Sequence, residues 1–307
     1  MTPGPVIALT GGTGFVGQAV LDVLARKKAL ARALARRVPK EARPFADWVP
    51  GSLDDPGALA QLVAGAEVVI HIAGLTTSHD PAELDRANAA GTLALVEAAR
   101  AAGVPRFVFV SSLAAREPDL SAYGASKAKA ETIVAASGMD WTTVRPPAVY
   151  GPRDKDMFEL FRMARRGVVP MPPPGRTSLI HVHDLAELLV ALIPGGEGVT
   201  GMVFEPDDGR VGGWSHRELA RTIGWAVGSR PWVPHLSAAM LGRLSRLDRV
   251  FRRDKAKLTA DRVSYMVHPD WVCSPARQVP TGVWTPRVPT RPGLKGTARW
   301  YREQGWL

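Results

Sequence analysis

The feature that most constrains the fold of this chain is a glycine-rich turn between a strand-like and a helix-like segment near the N-terminus. An apolar run at 6–10, VIALT, has the length of a buried strand, and TGGTGFVG begins at its last residue. Residues 15–26, FVGQAVLDVLAR, have the pattern of a helix. Gly12, Gly14 and Gly17 therefore fit G-x-G-x-x-G in the strand-to-helix context that a dinucleotide site requires.

Glycine has a physical purpose at these positions. Without side chains, the glycines permit a tight turn, let backbone N–H groups approach a pyrophosphate and allow the helix to pack closely on the strand. The helix N-terminus adds a partial positive charge. The cofactor-binding residues expected here are Gly11, Gly14, Phe15, Val16 and Gly17. The alternative is an ordinary tight turn between a strand and a helix.

Two arginines indicate which dinucleotide is bound. Arg36 and Arg37 close the next strand-like stretch, where an acidic residue would bind the ribose 2′-hydroxyl of NAD. A guanidinium suits a 2′-phosphate instead, because it pairs with phosphate through two parallel hydrogen bonds. The sequence therefore favours NADP, with NAD as the other candidate. Solvated surface charge is the alternative explanation for the two arginines.

A tyrosine and a lysine one helical turn apart provide a candidate proton-transfer site. Tyr123 and Lys127 lie in YGASKAKAE, and residues four apart share one face of a helix. A free tyrosine, with a pKa of about 10, is a poor base near neutral pH, and a nearby ammonium group at about 4 Å stabilises its anion by roughly 4 kcal/mol. In the reductive direction the same tyrosine would donate its proton to the developing alkoxide. The strand-like RFVFVSS precedes this pair, and a hydroxyl of Ser111 or Ser112 at its end could bind the substrate oxygen.

Alternating strand-like and helix-like segments predict the fold class. The candidate strands are 6–10, 31–35, 68–72, 106–111 and 141–145. This alternation predicts an α/β fold, a Rossmann-type doubly wound parallel sheet. After Gly167 the chain becomes rich in proline and glycine breaks. We therefore expect an NAD(P)-binding domain at 1–169 and a smaller, interleaved C-terminal substrate lobe at 170–307, with 179–205 returning to the first domain.

Several further motifs follow in order along the first 190 residues. They are VIHIAG at 69–74, NAAGT at 88–92, VSS at 110–112, RPPAVYGPRD at 145–154 and IHVHDLA at 180–186. With TGGTGFVG and YGASK, they make the chain resemble the short-chain dehydrogenase/reductase superfamily, in its extended, NAD(P)-dependent epimerase/dehydratase branch.

The resemblance implies a role for each matching residue. It makes Tyr123 the catalytic acid/base, Lys127 the residue that holds the nicotinamide ribose and tunes the tyrosine, and Ser112 the residue that orients the substrate oxygen, with Ser111 as second choice. The cofactor contacts that it implies are Ile72, Ala73, Gly74, Asn88, which would also brace the active-site helix, and Pro146. The alternatives are a capping or turn role for Asn88 and a rigid strand end for Pro146.

The chain departs from the family pattern near the adenine-contact motif. The family often has an acidic residue after the glycine, but the stretch here reads GSLDD, with Ser52 in that place and Leu53 after it. We expect Ser52 and Leu53 to take up the cofactor contact. Asp54 or Asp55 could compensate for the missing acid, or either could be a helix N-cap.

Two other departures concern the substrate side. The interval from Ser112 to Tyr123 is shorter than in typical nucleotide-sugar epimerases, which predicts a trimmed loop and a more open pocket. The H-V-D-D pattern is His181-Val182-His183-Asp184 here, and a surface or hydrogen-bonded role is favoured for His183 over a functional one.

Composition narrows the function classes. His181 and His183 lack a second ligand pair at a recognisable spacing, so no metal site is predicted, and no G-x-S-x-G elbow supports a serine hydrolase. Cys273 is the only cysteine, so intramolecular disulfides are excluded. No signal peptide or run of about 18 apolar residues is present, so a cytoplasmic location is expected.

The net charge of +10 calls for an explanation, and one basic segment stands out. Its basic residues are Arg243, Arg246, Arg249, Arg252, Arg253, Lys255 and Lys257. Leu241, Leu244, Leu247, Val250 and Phe251 recur at steps of three or four, or as neighbours, which predicts a basic amphipathic helix. Its apolar face could pack on the lobe, its charge could attract an anionic substrate, or it could bind anionic lipid beside a lipid-linked substrate. Nucleic acid is not favoured, since no binding motif supports it.

These observations favour an NADP-dependent oxidoreductase that transfers a hydride at a secondary alcohol or ketone, with tyrosine as acid/base. One alternative is a nucleotide-sugar epimerase or dehydratase, in which the hydride returns to the same substrate. Another is a redox-silent NADP-binding protein with a structural or assembly role. The substrate is expected to be a small molecule, anionic or lipid-linked, and the chain a monomer or homodimer. Fold-level analogy does not identify the substrate.

Overall fold

A computed structural model describes residues 6–252 and 258–307 of the chain, except for the side chain of Arg252. The chain divides into two compact units. Unit 1 runs to Arg145 and also includes Leu185–Glu205 and Val279–Thr285. Unit 2 consists of Pro146–Asp184, Pro206–Gln278 and Pro286–Leu307. The chain thus crosses to unit 2 at Pro146, just after the strand Asp140–Val144, whereas the boundary was expected at 169/170.

Unit 1 contains a parallel sheet of seven strands. The strands are β1 (Ile7–Thr10), β2 (Ala31–Ala35), β3 (Ala46–Pro50), β4 (Val68–His71), β5 (Arg106–Val110), β6 (Asp140–Val144) and β10 (Met202–Phe204). Their order is β3-β2-β1-β4-β5-β6-β10, and every neighbouring pair is parallel. The order reverses between β1 and β4, where doubly wound sheets bind their ligands at the carboxyl ends of the strands.

Helices connect the strands of unit 1. They are α1 (Phe15–Arg26), α2 (Pro56–Val63), α3 (Pro81–Asp85), α4 (Gly91–Ala101) and α5 (Ala122–Ala135). A π-helical turn, Arg86–Ala90, joins α3 to α4. β1, β4 and β5 are buried along their whole length, as expected for central strands covered on both faces.

The predicted α/β fold and Rossmann-type sheet are confirmed. All five strands predicted in this unit are present, and each end agrees within one residue. Two edge strands, β3 and β10, were not predicted from the sequence. β3, ADWVP, contains a proline and an exposed aspartate, and β10 is only three residues long, so neither has the apolar run that marks a buried strand.

Unit 2 contains short strands and helices. β7 (Ala148–Tyr150) pairs in parallel with β9 (Leu179–His181). A three-stranded sheet has the order β11 (Trp214–Ser215), β8 (Arg176–Thr177), β12 (Asp270–Trp271). The helices are α6 (Phe158–Arg165), α8 (His216–Val227), α9 (Ala238–Arg252), α10 (Ala260–Met266) and α11 (Thr290–Glu303), while α7 (Val182–Ala191) spans the return to unit 1. Aromatic residues of α6 and α11 share one apolar core with α8.

Helix α9 covers most of the predicted basic segment, and most of its predicted apolar face is exposed. Leu241 is buried, as expected if the apolar face packs on the lobe. The other four apolar positions are exposed, and they are Leu244, Leu247, Val250 and Phe251. Arg253, Lys255 and Lys257 lie outside the described residues. Within the described ranges, no helix is both long enough and apolar enough to cross a membrane.

Candidate active site

The glycine-rich turn lies at the carboxyl end of β1 and begins α1. Gly11 has φ +75°, a left-handed conformation that favours glycine, and a Cβ there would lie 2.8 Å from the Ala73 nitrogen. A Cβ on Gly17 would overlap the Gly11 carbonyl oxygen. Gly14 is exposed, and Phe15 and Val16 are partly exposed, in the first turn of α1. The turn therefore has the close backbone approach and the accessible helix N-terminus that the sequence pattern predicts.

The carboxyl end of β4 lies beside this turn. The Ile72 and Ala73 N–H groups donate to Thr10 Oγ1, at 3.2 and 3.1 Å. Gly74 follows and is exposed; a Cβ there would lie 2.9 Å from Asn88 Oδ1 and 3.6 Å from Lys127 Nζ. The backbone at Gly74 is therefore adjacent to both of those side chains.

Asn88 connects the β4 segment to helix α5. Its Oδ1 accepts from the Leu75 N–H at 2.7 Å, and its Nδ2 donates to the Leu75 carbonyl and to Ser126 Oγ, each at 2.9 Å. Ser126 is one residue before Lys127. Asn88 belongs to the π-helical turn, a feature that often occurs at functional sites.

Lys127 is buried beside the end of β5. Its ammonium group donates to the Val110 carbonyl at 2.8 Å and lies 4.5 Å from the centroid of the Phe109 ring. Burial lowers its pKa to about 8, while the charge of Glu131 acts in the opposite direction. The charge of this lysine therefore titrates within one to two units of neutral pH.

Tyr123 lies in the first turn of α5, one turn before Lys127, and is partly exposed. Ser121 caps this helix by accepting from the Gly124 N–H at 2.9 Å. A Cβ on Gly124 would lie 2.7 Å from the Ala114 carbonyl oxygen, so glycine permits the helix to approach the preceding loop closely. The tyrosine is thus fixed by a capped and closely packed helix start.

The two candidate serines at the end of β5 differ in environment. Ser112 is partly exposed and caps a short 3₁₀ turn, with its Oγ accepting from the Ala114 N–H at 3.2 Å. Its hydroxyl hydrogen remains available as a donor. Ser111 is buried, and its Oγ has no hydrogen-bond partner among the described residues. The segment between Ser112 and Tyr123 contains two 3₁₀ turns, Leu113–Arg116 and Pro118–Leu120.

The remaining predicted contacts of unit 1 lie at the ends of β2 and β3. Arg36 and Arg37 directly follow β2 and are exposed. Ser52 and Leu53 follow β3 and are partly exposed. Asp55 is the N-cap of α2, accepting from Gly57 and Ala58 at 3.0 and 3.1 Å, so the capping alternative is the correct one for this residue.

Three predicted residues belong to unit 2. Pro146 is its first residue and is buried. Asp184 is buried and accepts from the N–H groups of Arg287 and Val288, at 3.2 and 2.9 Å, so it holds the chain that leads into α11. His183 is partly exposed.

A buried network of hydrogen bonds, which the sequence did not predict, lies beneath the site. His71 Nδ1 lies 2.6 Å from Thr10 Oγ1, and His71 Nε2 lies 2.9 Å from Thr92 Oγ1. The Thr92 hydroxyl donates to the Asn88 carbonyl. Because Thr10 Oγ1 already accepts two backbone N–H groups, its own hydrogen is directed to Nδ1, which assigns the neutral tautomer with hydrogen on Nε2.

The environment of His71 agrees with that assignment. Burial, and secondarily the charge of Lys127, lower its pKa to about 3. The sequence contains one signal for this hydrogen-bond network, since Thr10, His71 and Thr92 lie in the motifs TGGTGFVG, VIHIAG and NAAGT. Their mutual contacts join three separate segments, however, so only the fold reveals them.

A second missed feature is an ion-pair network at the far end of α5. Arg145 donates to both carboxylate oxygens of Glu131, at 2.8 and 2.6 Å. Arg145 also lies 3.5 Å from Glu205, which is fully buried, and Arg116 lies 3.7 Å from the same carboxylate. Glu131 is one helical turn after Lys127 and its charge raises the pKa of that lysine, so this network holds in place a negative charge that acts on the lysine.

Comparison with known proteins agrees with this geometry. Residues 7–204 match the model of the NAD dependent epimerase/dehydratase family. The ceramide reductase of Caulobacter vibrioides is 38% identical to the chain over 98% of its length and 96% of the relative. The chain belongs to the NAD dependent epimerase/dehydratase family.

Two other proteins are similar to the chain, one in sequence and one in fold. The UDP-glucose 4-epimerase of Vibrio cholerae is 29% identical, over 78% of this chain and 81% of the relative. The crystal structure of gox2253 has the same fold, with a TM-score of 0.79 at 24% identity over 99% of both chains. The chain is therefore an NAD(P)-dependent enzyme of the extended short-chain dehydrogenase/reductase type, a family with both reductases and epimerases.

Proposed function

We propose that this protein is an NADPH-dependent reductase that converts a long-chain ketone of the ceramide class to the secondary alcohol. The observation that carries the proposal is the 38% identity to a ceramide reductase, which extends over 98% of this chain and thus includes the substrate lobe. The epimerase relative is more distant, at 29% identity over 78% of the chain. Since specificity in this fold resides in the lobe, similarity that extends through the lobe is the relevant kind.

Three side chains of unit 1 have the chemistry for ketone reduction. Tyr123 would donate its phenolic proton to the ketone oxygen as negative charge develops there. Lys127 donates one hydrogen bond to the Val110 carbonyl and keeps two N–H donors, which would bind a ribose hydroxyl. Its positive charge would act on Tyr123. Ser112 would donate a hydrogen bond to the same ketone oxygen and so orient the substrate.

A nicotinamide dinucleotide fits the residues of unit 1. When bound, it supplies the hydride that reduces the carbonyl carbon. The Gly11–Gly17 turn would hold the pyrophosphate, Ser52 and Leu53 would lie near the adenine, and Ile72, Ala73 and Gly74 would run along the cofactor. Close backbone approach at Gly11, Gly17 and Gly74, where a Cβ would meet neighbouring atoms, supports this assignment.

Arg36 and Arg37 support NADPH over NADH. Both follow β2 directly and are exposed, so their guanidinium groups are available to a 2′-phosphate. We expect the double variant R36A/R37A to bind NADPH at least tenfold more weakly and NADH about equally, because charge-assisted hydrogen bonds contribute roughly 1.5–3 kcal/mol. Lys40, which is basic, exposed and close in sequence, provides the control K40A. Equal wild-type affinities for NADPH and NADH would overturn the NADP assignment.

The test of the reductase proposal uses a ceramide in which the secondary alcohol of the long-chain base has been oxidised to a ketone. Purified protein is mixed with NADPH and this lipid in detergent micelles, and NADPH oxidation is followed together with the mass of the lipid. We expect equimolar NADPH loss and a lipid two hydrogens heavier, and neither with Y123F, although Y123F should still bind NADPH. Failure to reduce this ketone under conditions of NADPH binding would overturn the proposal.

The second candidate is epimerisation of a nucleotide sugar, which the Vibrio cholerae relative favours. An epimerase returns the hydride to its substrate, so it consumes no NADPH. Incubation with UDP-glucose, followed by separation of the sugar products, distinguishes the two candidates. Formation of an epimer without cofactor turnover, combined with no reaction of the lipid ketone, would favour the epimerase.

A further inference from the structure

We propose that helix α9 docks on the surface of a membrane that contains anionic lipids. The helix carries an exposed apolar stripe, formed by Met240, Leu244, Leu247 and Phe251. These residues recur at steps of four, three and four, so they lie along one face of the helix. Val250 adjoins the stripe and is exposed as well.

The stripe is not the face by which α9 is attached to unit 2. Leu241 and Ser245 are buried, and Asp248 accepts from the Leu258 N–H at 3.0 Å. These three positions are one and two turns apart and define a packed face. Phe251 and Val250, in contrast, are 82% and 71% exposed, values that leave most of each side chain in water. Large contiguous apolar patches on a protein surface often mark a binding site.

Basic residues border the stripe. Arg243, Arg246 and Arg249 are exposed. At 3.6 residues per turn, Arg243 and Arg246 lie beside the stripe on the side away from Leu241 and Ser245. Asp248, the only acidic residue from 238 to 251, contacts the Leu258 backbone, so the exposed side of the helix carries positive charge.

An anionic membrane fits both properties of this surface. Helices that lie in the lipid interface insert Leu, Phe and Val side chains among acyl chains while flanking Arg or Lys groups pair with lipid phosphates. A second copy of the chain fits less well, because a two-fold contact through the stripe would bring the arginines of both copies together. Nucleic acid would leave the apolar stripe without a partner.

This inference goes beyond the reductase proposal and does not depend on it, since it rests on exposure and charge alone. The experiment is sedimentation with vesicles of phosphatidylcholine, with and without phosphatidylglycerol, at low and high salt and without substrate. The apolar variant is L247Q/F251Q, and the charge variant is R243Q/R246Q/R249Q. The control, R217Q/R221Q/R230Q, removes three exposed arginines elsewhere in unit 2 and causes the same change of net charge.

We expect the wild type to bind phosphatidylglycerol vesicles at low salt and to dissociate at high salt. The charge variant should bind about a hundredfold more weakly, at about fivefold per arginine near the surface. The apolar variant should bind at least tenfold more weakly, and the control should resemble the wild type. Because the altered side chains are exposed, all variants should keep the NADPH affinity and melting temperature of the wild type.

Three outcomes would overturn the proposal. The first is no binding of the wild type to anionic vesicles at low salt. The second is unchanged binding of both α9 variants, which would place a membrane site elsewhere. The third is a wild-type dimer in light scattering that L247Q/F251Q converts to a monomer, which would make the stripe an interface between copies. Loss of reductase activity with intact vesicle binding would contradict only the function proposed above.

Discussion

The ammonium nitrogen of Lys127 lies 2.8 Å from the carbonyl oxygen of Val110, the last residue of β5. This bond fixes the lysine to the central sheet and leaves two of its three N–H donors for other partners. The site also keeps the group away from water, and burial lowers the pKa of Lys127 to about 8. The end of β5 thus determines the position of Lys127, and burial determines its pKa.

The first prediction concerns the pH dependence of catalysis. The kcat/KM for the nicotinamide cofactor reports ionisations of the free enzyme. We expect kcat/KM to fall as pH rises through about 8, because Lys127 loses its positive charge there. That charge is what stabilises the anion of Tyr123. Steady-state rates of ketone reduction at subsaturating cofactor, across the neutral and alkaline range, measure this limb.

Lys129 provides the matched control for that measurement. It lies on the same helix but is exposed, and its ammonium group pairs with Asp85 at 2.9 and 3.0 Å. K129Q should keep the same falling limb as the wild type. A wild-type profile that stays level through pH 8 and beyond would contradict the prediction.

Glu131 should determine where that limb lies. Its negative charge raises the pKa of Lys127, so E131Q is expected to move the limb to lower pH. The same change leaves Arg145 without its bidentate partner in a mostly buried site, which we expect to cost on the order of 3 kcal/mol of unfolding free energy. The pH profile and urea denaturation of E131Q are compared with those of E131D, which keeps the charge. A limb that stays in place or moves to higher pH would refute the coupling.

The two serines at the end of β5 offer a matched pair of variants. S112A should reduce kcat about a hundredfold, the typical effect of removing one donor from a developing oxyanion. S111A should change kcat little, and it should leave the protein as stable or slightly more stable, because the buried Ser111 hydroxyl has no hydrogen-bond partner in the part of the chain that the structure describes. A larger kcat loss in S111A than in S112A would reverse the roles of the two serines.

The glycine turn should tolerate no added methyl group at Gly17. A Cβ there would overlap the Gly11 carbonyl, so G17A must shift the turn and should weaken NADPH binding severely, with a loss of roughly 1–3 kcal/mol in stability. Gly296, on α11, has open space around it and an ordinary φ, so G296A should be neutral or stabilising. Calorimetric titration and thermal melts of both variants test this contrast. Wild-type cofactor affinity in G17A would exclude the turn from the binding site.

Sequence predicted the parts of this protein that local patterns encode. The strand at β1, the Gly11–Gly17 turn and helix α1 follow from an apolar run, glycine spacing and helical periodicity within a short segment. The one-turn spacing of Tyr123 and Lys127 is likewise a local property. These residues need no distant partner to be recognised.

What sequence did not predict depends on contacts between distant segments. The hydrogen bonds of His71 with Thr10 and Thr92 join residues that are 61 and 21 positions away in the chain. The exposure of Phe251 could not be predicted either, because amphipathic periodicity identifies an apolar face but not whether that face is covered. The pairing of Arg145 with Glu131 and Glu205 requires the strand order of the sheet.

The last prediction follows from the neutral His71 in that buried network. Its pKa is about 3 in the folded protein, below the value of about 6.5 for an unperturbed histidine, so folding favours the neutral form. The stability that it contributes is fully present above pH 6.5 and is lost as pH falls toward 3. At pH 4.5 the expected loss is about 3 kcal/mol. Urea denaturation of wild type and H71Q at pH 7.5 and pH 4.5 measures the contribution of His71 to the unfolding free energy. Glutamine does not titrate, and the other titrating groups contribute equally to both proteins. H71Q should therefore lose about 3 kcal/mol less than the wild type between the two pH values, and equal losses would show that His71 is not held neutral.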